Sequence, residues 1–328
     1  MVIRRLLTVC VLVVIAMLTF SGPVGVLAQD ATPVAECVAP ELPPGTPTPM
    51  EEDAATPEAE GSPVAEAEGE ADPAELAEEE TTNIEGPASP ARVEAATAGL
   101  ENALNCIAAG DYLGLAALMT PDFVSWVTET GNPYDVPLSM EGVTPMRIVA
   151  TGDPVGDQDH RVGLHLVYGD FFNAPGVLTS ERWYLVQEGD FWKIDDILPV
   201  PAPDSFLAGY TVVDVAMVDF AFSFSMNEVP AGPVVLRFTN TSYTASPHVA
   251  GVAVLAGDIS AEAIIQMDAL PDDELAAFLG GIFAEPGQSG DLIFENLEAG
   301  EYTVVCDFTT PDDVEHWMLG MVAHFTVV

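Results

Sequence analysis

Four residues in the last third of the chain carry donor atoms that can share one metal ion: His248, Cys306, His316 and Met321. Two imidazoles, a thiol able to lose its proton and a thioether are the soft set that holds copper in a trigonal site with a weak axial sulfur. Their order has a physical consequence. His248 stands apart, after Asn240-Thr241-Ser242 and Ser246-Pro247, while Cys306, His316 and Met321 sit at the two ends of a single loop. One ligand thus comes from a distant strand and three from one loop, so a sheet can fix the cavity before metal arrives. Competing donors lie close by: Met318 for the axial position, and His324 for His316 if the loop folds differently. Singly, each residue has a bland explanation, a buried cysteine acting as a small apolar side chain and a methionine filling core. Their joint occurrence is what points to copper.

Residues 206–328 must position these groups. Tyr210–Phe224 alternates β-forming residues, and Val234–Phe238, Val249–Leu255, Leu292–Phe294, Tyr302–Cys306 and Met321–Val327 read as further short strands. Turns carry Pro230-Ala231-Gly232, Pro286-Gly287 and Glu298-Ala299-Gly300-Glu301. Many short strands at regular spacing predict a β-sandwich. Ser260–Phe283 interrupts them and reads as a helical insertion, with Ser260 as a cap and Pro271-Asp272-Asp273-Glu274 opening a second helical piece. Residues 91–205 follow another pattern. Val93, Ala96, Leu100, Ala103, Leu104 and Ile107 recur at helical spacing up to Gly110-Asp111, and Tyr112–Met119 fits a second helix. Period two then takes over at Val162, Leu164, Leu166 and Tyr168, followed by Glu181–Val186 and Phe191–Ile197 around a turn at Glu188-Gly189-Asp190. Helices followed by an antiparallel sheet make an α+β domain.

The C-terminal segment resembles the cupredoxins, the blue (type 1) copper proteins of the plastocyanin and azurin kind. The ligand order and the phrases Pro286-Gly287-Gln288-Ser289, Leu297-Glu298-Ala299-Gly300-Glu301-Tyr302 and Gly320-Met321 carry the resemblance. It implies a Greek-key sandwich binding one copper through His248, Cys306 and His316, with Met321 axial. Two departures stand out. The cysteine-to-histidine loop is longer than in plastocyanin or azurin, and Val249 follows His248 where many members carry an asparagine that braces that loop. The preceding domain is similar to the nuclear transport factor 2-like superfamily, the cone-shaped α+β domains. That rests on Cys106-Ile107-Ala108-Ala109-Gly110-Asp111 and on Arg182-Trp183-Tyr184-Leu185-Val186 with Phe191-Trp192-Lys193-Ile194-Asp195-Asp196-Ile197. Members include isomerases, dehydratases and non-catalytic modules, so the fold alone assigns no chemistry. His165 with Asp170 is the acid–base candidate in such a cone; we assign no active site there.

Charge and the amino terminus set the context. The 328 residues hold 52 Asp+Glu against 8 Lys+Arg, a net charge of −44. Nucleic-acid binding needs clustered cations and is excluded as a function class. A partner steered by this field is basic. Arg4 and Arg5, the apolar Leu6–Phe20 and Val26-Leu27-Ala28 make residues 1–28 an export signal. No stable membrane span is expected after its cleavage, so the protein belongs outside the cytoplasm: extracellular, cell-surface or periplasmic. Residues 29–90 hold seventeen acidic residues and eleven prolines but no basic or aromatic residue, and read as a disordered acidic tether. If Cys306 is a metal thiolate, Cys37 and Cys106 form a disulfide or both remain free.

The expectation is an exported single-electron carrier rather than an enzyme. It docks a basic or apolar redox partner on Trp317, Met318 and Leu319 beside a surface-near His316. The alternative is a copper-storing or metal-free cupredoxin-like surface module, with the α+β domain binding a small ligand.

Overall fold

The structure is a computed structural model. It describes residues 36–48 and 86–328, apart from 129, 141–142, 144–145, 157–159, 170–172, 227, 244–245, 256–258 and 266–274. The expected export signal and most of the expected tether lie outside these residues.

After a two-residue strand β1 (Gly86–Pro87), helix α1 spans Pro90–Ala109. Ser89 caps it by accepting from Arg92 N–H, and proline occupies its first turn, where a missing N–H costs nothing. It stops where its periodicity stops, because Gly110 adopts φ 68° and closes the carboxyl end in left-handed geometry. Asp111 then caps α2 (Tyr112–Ala117) through Gly114 N–H. Two further short helices, α3 (Pro121–Thr128) and α4 (Val136–Ser139), occupy a stretch that reads in sequence as a Gly- and Pro-rich loop. Strands β2 (Arg147–Thr151), β3 (Val155–Gly156), β4 (Val162–Gly169), β5 (Val177–Glu188) and β6 (Phe191–Pro199) follow. The helices cover one face of this sheet, and Ala96, Leu100, Cys106, Leu115, Phe123, Leu164, Trp183 and Leu185 form the core between them.

Residues 36–48, inside the expected tether, lie on this domain. Cys37 is disulfide-bonded to Cys106 on α1. Val38 exchanges hydrogen bonds with the Asn102 side chain, and Tyr134 donates to Pro43 O. Thr48 donates both its backbone N–H and its hydroxyl to the buried Asp135 carboxylate, each at 2.7 Å. These bonds offset the ordering entropy that composition alone leaves unopposed. Reducing the disulfide, which closes a 69-residue separation, is expected to lower stability by roughly 2–4 kcal/mol and to open residues 38–48 to proteolysis. Thermal melts and limited digestion with and without reductant check this.

The second half contributes β7 (Thr211–Val218), β8 (Ala221–Phe224), β9 (Glu228–Val229), β10 (Gly232–Asn240), β11 (His248–Leu255), a short helix α5 (Ala261–Ile265), β12 (Leu275–Ala284), β13 (Ser289–Leu297), β14 (Gly300–Val305) and β15 (Val322–Val327). One sheet of five strands runs β12-β11-β14-β15-β9. It packs on β13-β10-β7-β8 through Val215, Met217, Leu236, Phe238, Val252, Val304 and Phe325, the interior of a sandwich.

Two features differ from the sequence reading. Of the expected helical insertion, Ala261–Ile265 is helix, Pro271-Asp272-Asp273-Glu274 lies outside the described residues, and Leu275–Ala284 is a strand paired with β11 along its whole length. Helix-forming Leu and Ala are overridden there by a ladder of backbone hydrogen bonds and by burial against the sandwich. The second difference concerns how the two domains join. Val177–Ser180 at the start of β5 pairs antiparallel with Asp291–Phe294 of β13. The first domain's sheet therefore continues into the sandwich, as one ten-stranded sheet. Val167, Leu178, Ala202, Leu207, Val235 and Ile293 form a further core over this junction, drawn from both domains and the segment between them.

Among the described residues, no helix is long and apolar enough to cross a membrane.

Candidate metal centre

Three of the four proposed ligands converge. His248 opens β11, and Cys306 immediately follows β14, the strand paired with β11 at Gly251–Val305. Adjacent strands thus deliver the first histidine and the cysteine to the same end of the sandwich. The loop then carries the chain out and back. His316 N–H donates to Phe308 O, Trp317 N–H to Cys306 O, and Met321 N–H to His316 O, while Cys306 N–H donates to Met321 O. These bonds hold both ends of the ten-residue excursion against each other.

The ligating atoms of His248, Cys306 and His316 all lie within 4.8 Å of one another, and all three residues are wholly buried. Nδ1 of His248 is 3.1 Å from Nδ1 of His316. Cys306 Sγ is 3.5 Å from His316 Nδ1 and 3.9 Å from His248 Nδ1. An ion bound at about 2.0–2.3 Å to two nitrogens and a sulfur separates these donors by roughly 3.3–3.8 Å, so the triangle is already near the required size. The donor set fits the group it is expected to hold.

Burial sets the protonation of the three donors. Burial, and then the neighbouring His316, push the His248 pKa down to about 4, and burial lowers that of His316. Both imidazoles are therefore neutral at pH 7, with lone pairs available. Burial pushes the Cys306 thiol up to about 12, although it accepts the Val249 N–H at 3.4 Å. A metal binding there releases the thiol proton.

The remaining candidates separate cleanly. Met321 is wholly buried and shares a core cluster with Cys306 and Val249. Met318 packs instead with Ile264, Trp317 and Val322 on the outer side of the second sheet. His324 takes no part, its Nδ1 lying 2.9 Å from the Thr303 hydroxyl. His165 turns away from the helix-covered face of the first domain, with Nε2 2.9 Å from Ser180 Oγ in a buried contact. Burial, followed by nearby Arg182, lowers its pKa. Its suggested companion Asp170 lies outside the described residues. The expected docking patch is not present as such: Trp317 is fully buried against α5, Met318 is half-buried, and only Leu319 is open, at 45% exposure. His316 lies beneath the surface rather than at it, because the loop is long enough to fold inward.

No protein-family model matches this sequence, and among curated proteins no match is found. Solved structures similar to part of the chain include cupredoxins. Reduced auracyanin from the photosynthetic bacterium Roseiflexus castenholzii is 23% identical, covering 36% of this chain and 97% of its own, with a TM-score of 0.26. Auracyanin A, a "blue" copper protein from the green thermophilic photosynthetic bacterium Chloroflexus aurantiacus, is 17% identical over 37% of this chain and 100% of its own, with a TM-score of 0.25. Amicyanin from Paracoccus versutus is 18% identical over 40% of this chain and 91% of its own, with a TM-score of 0.21.

Three supporting residues escaped the sequence reading. Ser242 places its hydroxyl 3.0 Å from His248 Nε2 and so fixes which ring nitrogen faces the site. Asn240, wholly buried, donates to Ser246 O and Ala284 O and accepts from Ser242 N–H, locking the segment that leads into His248. Both sit in the Asn240-Thr241-Ser242 phrase, whose polar character inside a β-rich run was the available signal. The third is Phe220, whose ring packs edge-on to His316 at 5.0 Å between centroids.

Proposed function

We propose that this chain is an exported type 1 copper protein that carries single electrons and is not itself an enzyme. His248, Cys306 and His316 would hold the copper, with the Met321 thioether as a fourth, weaker donor. Copper held there supplies one-electron chemistry by alternating between Cu(I) and Cu(II). The convergence of two imidazole nitrogens and a thiol in one buried triangle carries the reading.

The protein's own contribution is rigidity. β11 and β14 are adjacent in one sheet, Ser242 and Asn240 fix the first histidine, and the loop's backbone bonds fix the other ligands. A site that does not rearrange suits both oxidation states and keeps the electron-transfer barrier low. Burial keeps water away from the donors. Arg4, Arg5 and the apolar run after them support export, and the net charge of −44 supports a basic redox partner. In the first domain, α1–α4 laid over β2–β6 support the cone-like α+β reading.

Adding one equivalent of Cu(II) to metal-free full-length protein tests the proposal. The expected result is an intense visible absorption that a mild reductant bleaches and air or ferricyanide restores. Bound but colourless copper, or colour that reductant destroys irreversibly, would sink the electron-transfer reading.

A further inference from the structure

We infer that Phe220 is the positioning residue that seals the outer nitrogen of His316 from solvent, making the turn at Asp219-Phe220 the port through which anything reaches the ligand triangle from that side. His316 is wholly buried, and its Nε2 has no hydrogen-bond partner among the described residues. A ring nitrogen buried without a partner pays a desolvation cost because something keeps water from it. The candidates for that cover are Phe220, edge-on at 5.0 Å, and Phe308, tilted at 5.6 Å. Phe220 is the one outside the ligand loop. It sits half-buried at the turn joining β7 to β8, while Phe308 belongs to the loop whose backbone already binds His316 N–H.

The turn is tied down on the side facing the first histidine. Asp219 holds φ 51°, an uncommon conformation for a residue with a side chain. Its N–H donates to Ser242 Oγ at 2.8 Å, and its carboxylate accepts Tyr243 N–H at 3.3 Å. Ser242 Oγ is the same atom that meets His248 Nε2. On the far side, Gly320 at φ 110° passes close to the Phe220 carbonyl. One short turn thus bridges the segments bearing both histidines, through a hydroxyl on one and an aromatic ring on the other. The expected apolar contact residue Trp317 is out of reach beneath α5, which leaves Phe220 and Phe308 as the phenyl rings packed on His316.

The copper reading supplies only the purpose of this shield, which is tested on metal-free full-length protein. Diethyl pyrocarbonate modifies exposed histidines, and peptide mass spectrometry reads each site. His160, exposed, is the internal reference. In the wild type, His316 is expected to react roughly tenfold or more slowly than His160, the factor imposed when the open state is populated a tenth of the time or less. Phe220→Ala is expected to bring His316 to within about threefold of His160, while His248 and His324 keep their slow rates. Phe220→Leu, which keeps the apolar cover, is expected to stay near wild type and serves if the alanine variant fails to fold. A wild-type His316 as reactive as His160 would overturn the inference. So would protection that survives Phe220→Ala in a folded protein, or that Phe308→Ala alone removes. None of these results depends on whether the protein binds copper, so loss of the shield and loss of the copper reading are separately visible.

Discussion

Cys306→Ser is expected to abolish the intense visible absorption of the copper-loaded protein outright, because that band needs a sulfur-to-copper transition and no other thiol among the described residues lies in the site. Among the described residues Cys306 is the free cysteine, since Cys37 and Cys106 are bonded to each other. Two neutral imidazoles remain, so some copper still binds, but without the thiolate that selects and anchors it. The fall in affinity should exceed the 10–100-fold that removing an outer-shell partner costs, which is the effect expected of Ser242→Ala. Comparing the two variants separates ligand from brace: Ser242→Ala keeps the colour and weakens binding, while Cys306→Ser loses the colour itself. The serine is close in size and can still accept the Val249 N–H, so the fold should survive with a penalty of about 1–3 kcal/mol for a buried hydroxyl. Absorption spectra and a competitive copper titration on both variants decide the matter. Retained colour in Cys306→Ser would remove the assignment.

The candidate donors were legible because each announces itself by residue type, and because one strand that reads clearly as β begins at His248 and another runs out to Cys306. The supporting shell was less so. Ser242 and Phe220 act through side chains that meet only in three dimensions, and neither residue type at its position signals metal chemistry. The fate of Trp317 was misread for a related reason. A tryptophan beside a surface-loop histidine suggests an exposed patch, but α5 lands on it, and Ile264, which makes that contact, is distant in sequence. At Leu275–Ala284 the local preference for helix was real and lost to the pairing offered by β11. The junction of β5 with β13 had no local signal at all. An edge-to-edge pairing between strands a hundred residues apart leaves no periodicity behind. Residues 36–48 were similarly opaque, since composition predicts the unbonded chain and not one stapled to α1.

That junction gives the second large effect. Asp291, on β13 opposite Ser180 of β5, is wholly buried and accepts three hydrogen bonds: Arg237 Nε at 2.8 Å, Arg237 Nη2 at 2.9 Å and Ala202 N–H at 2.8 Å. The bond to Asp291, then its charge, raises the Arg237 pKa further above its ordinary value against the desolvation that lowers it. Ala202 lies on the segment between the domains, so one carboxylate ties together the sandwich, the connector and the shared sheet. Asp291→Ala leaves the guanidinium and a backbone N–H without their partner, and is expected to cost about 3–5 kcal/mol. Arg237, on neighbouring β10, keeps 25% of its side chain in contact with solvent, which favours the lower end. By contrast, Glu295→Gln at the exposed Arg147–Glu295 pair spanning the same junction should change stability by no more than about 1 kcal/mol. Because β5 and β13 share a ladder and a core, the loss should appear in both halves at once. In a Trp317→Phe background, tryptophan fluorescence reports the first domain through Trp183 and Trp192, and the copper absorption reports the second. The two signals should show one coincident urea transition, and the same coincidence, shifted down, when Asp291→Ala is added. Two separated transitions in that background would mean the continuous sheet does not couple the domains.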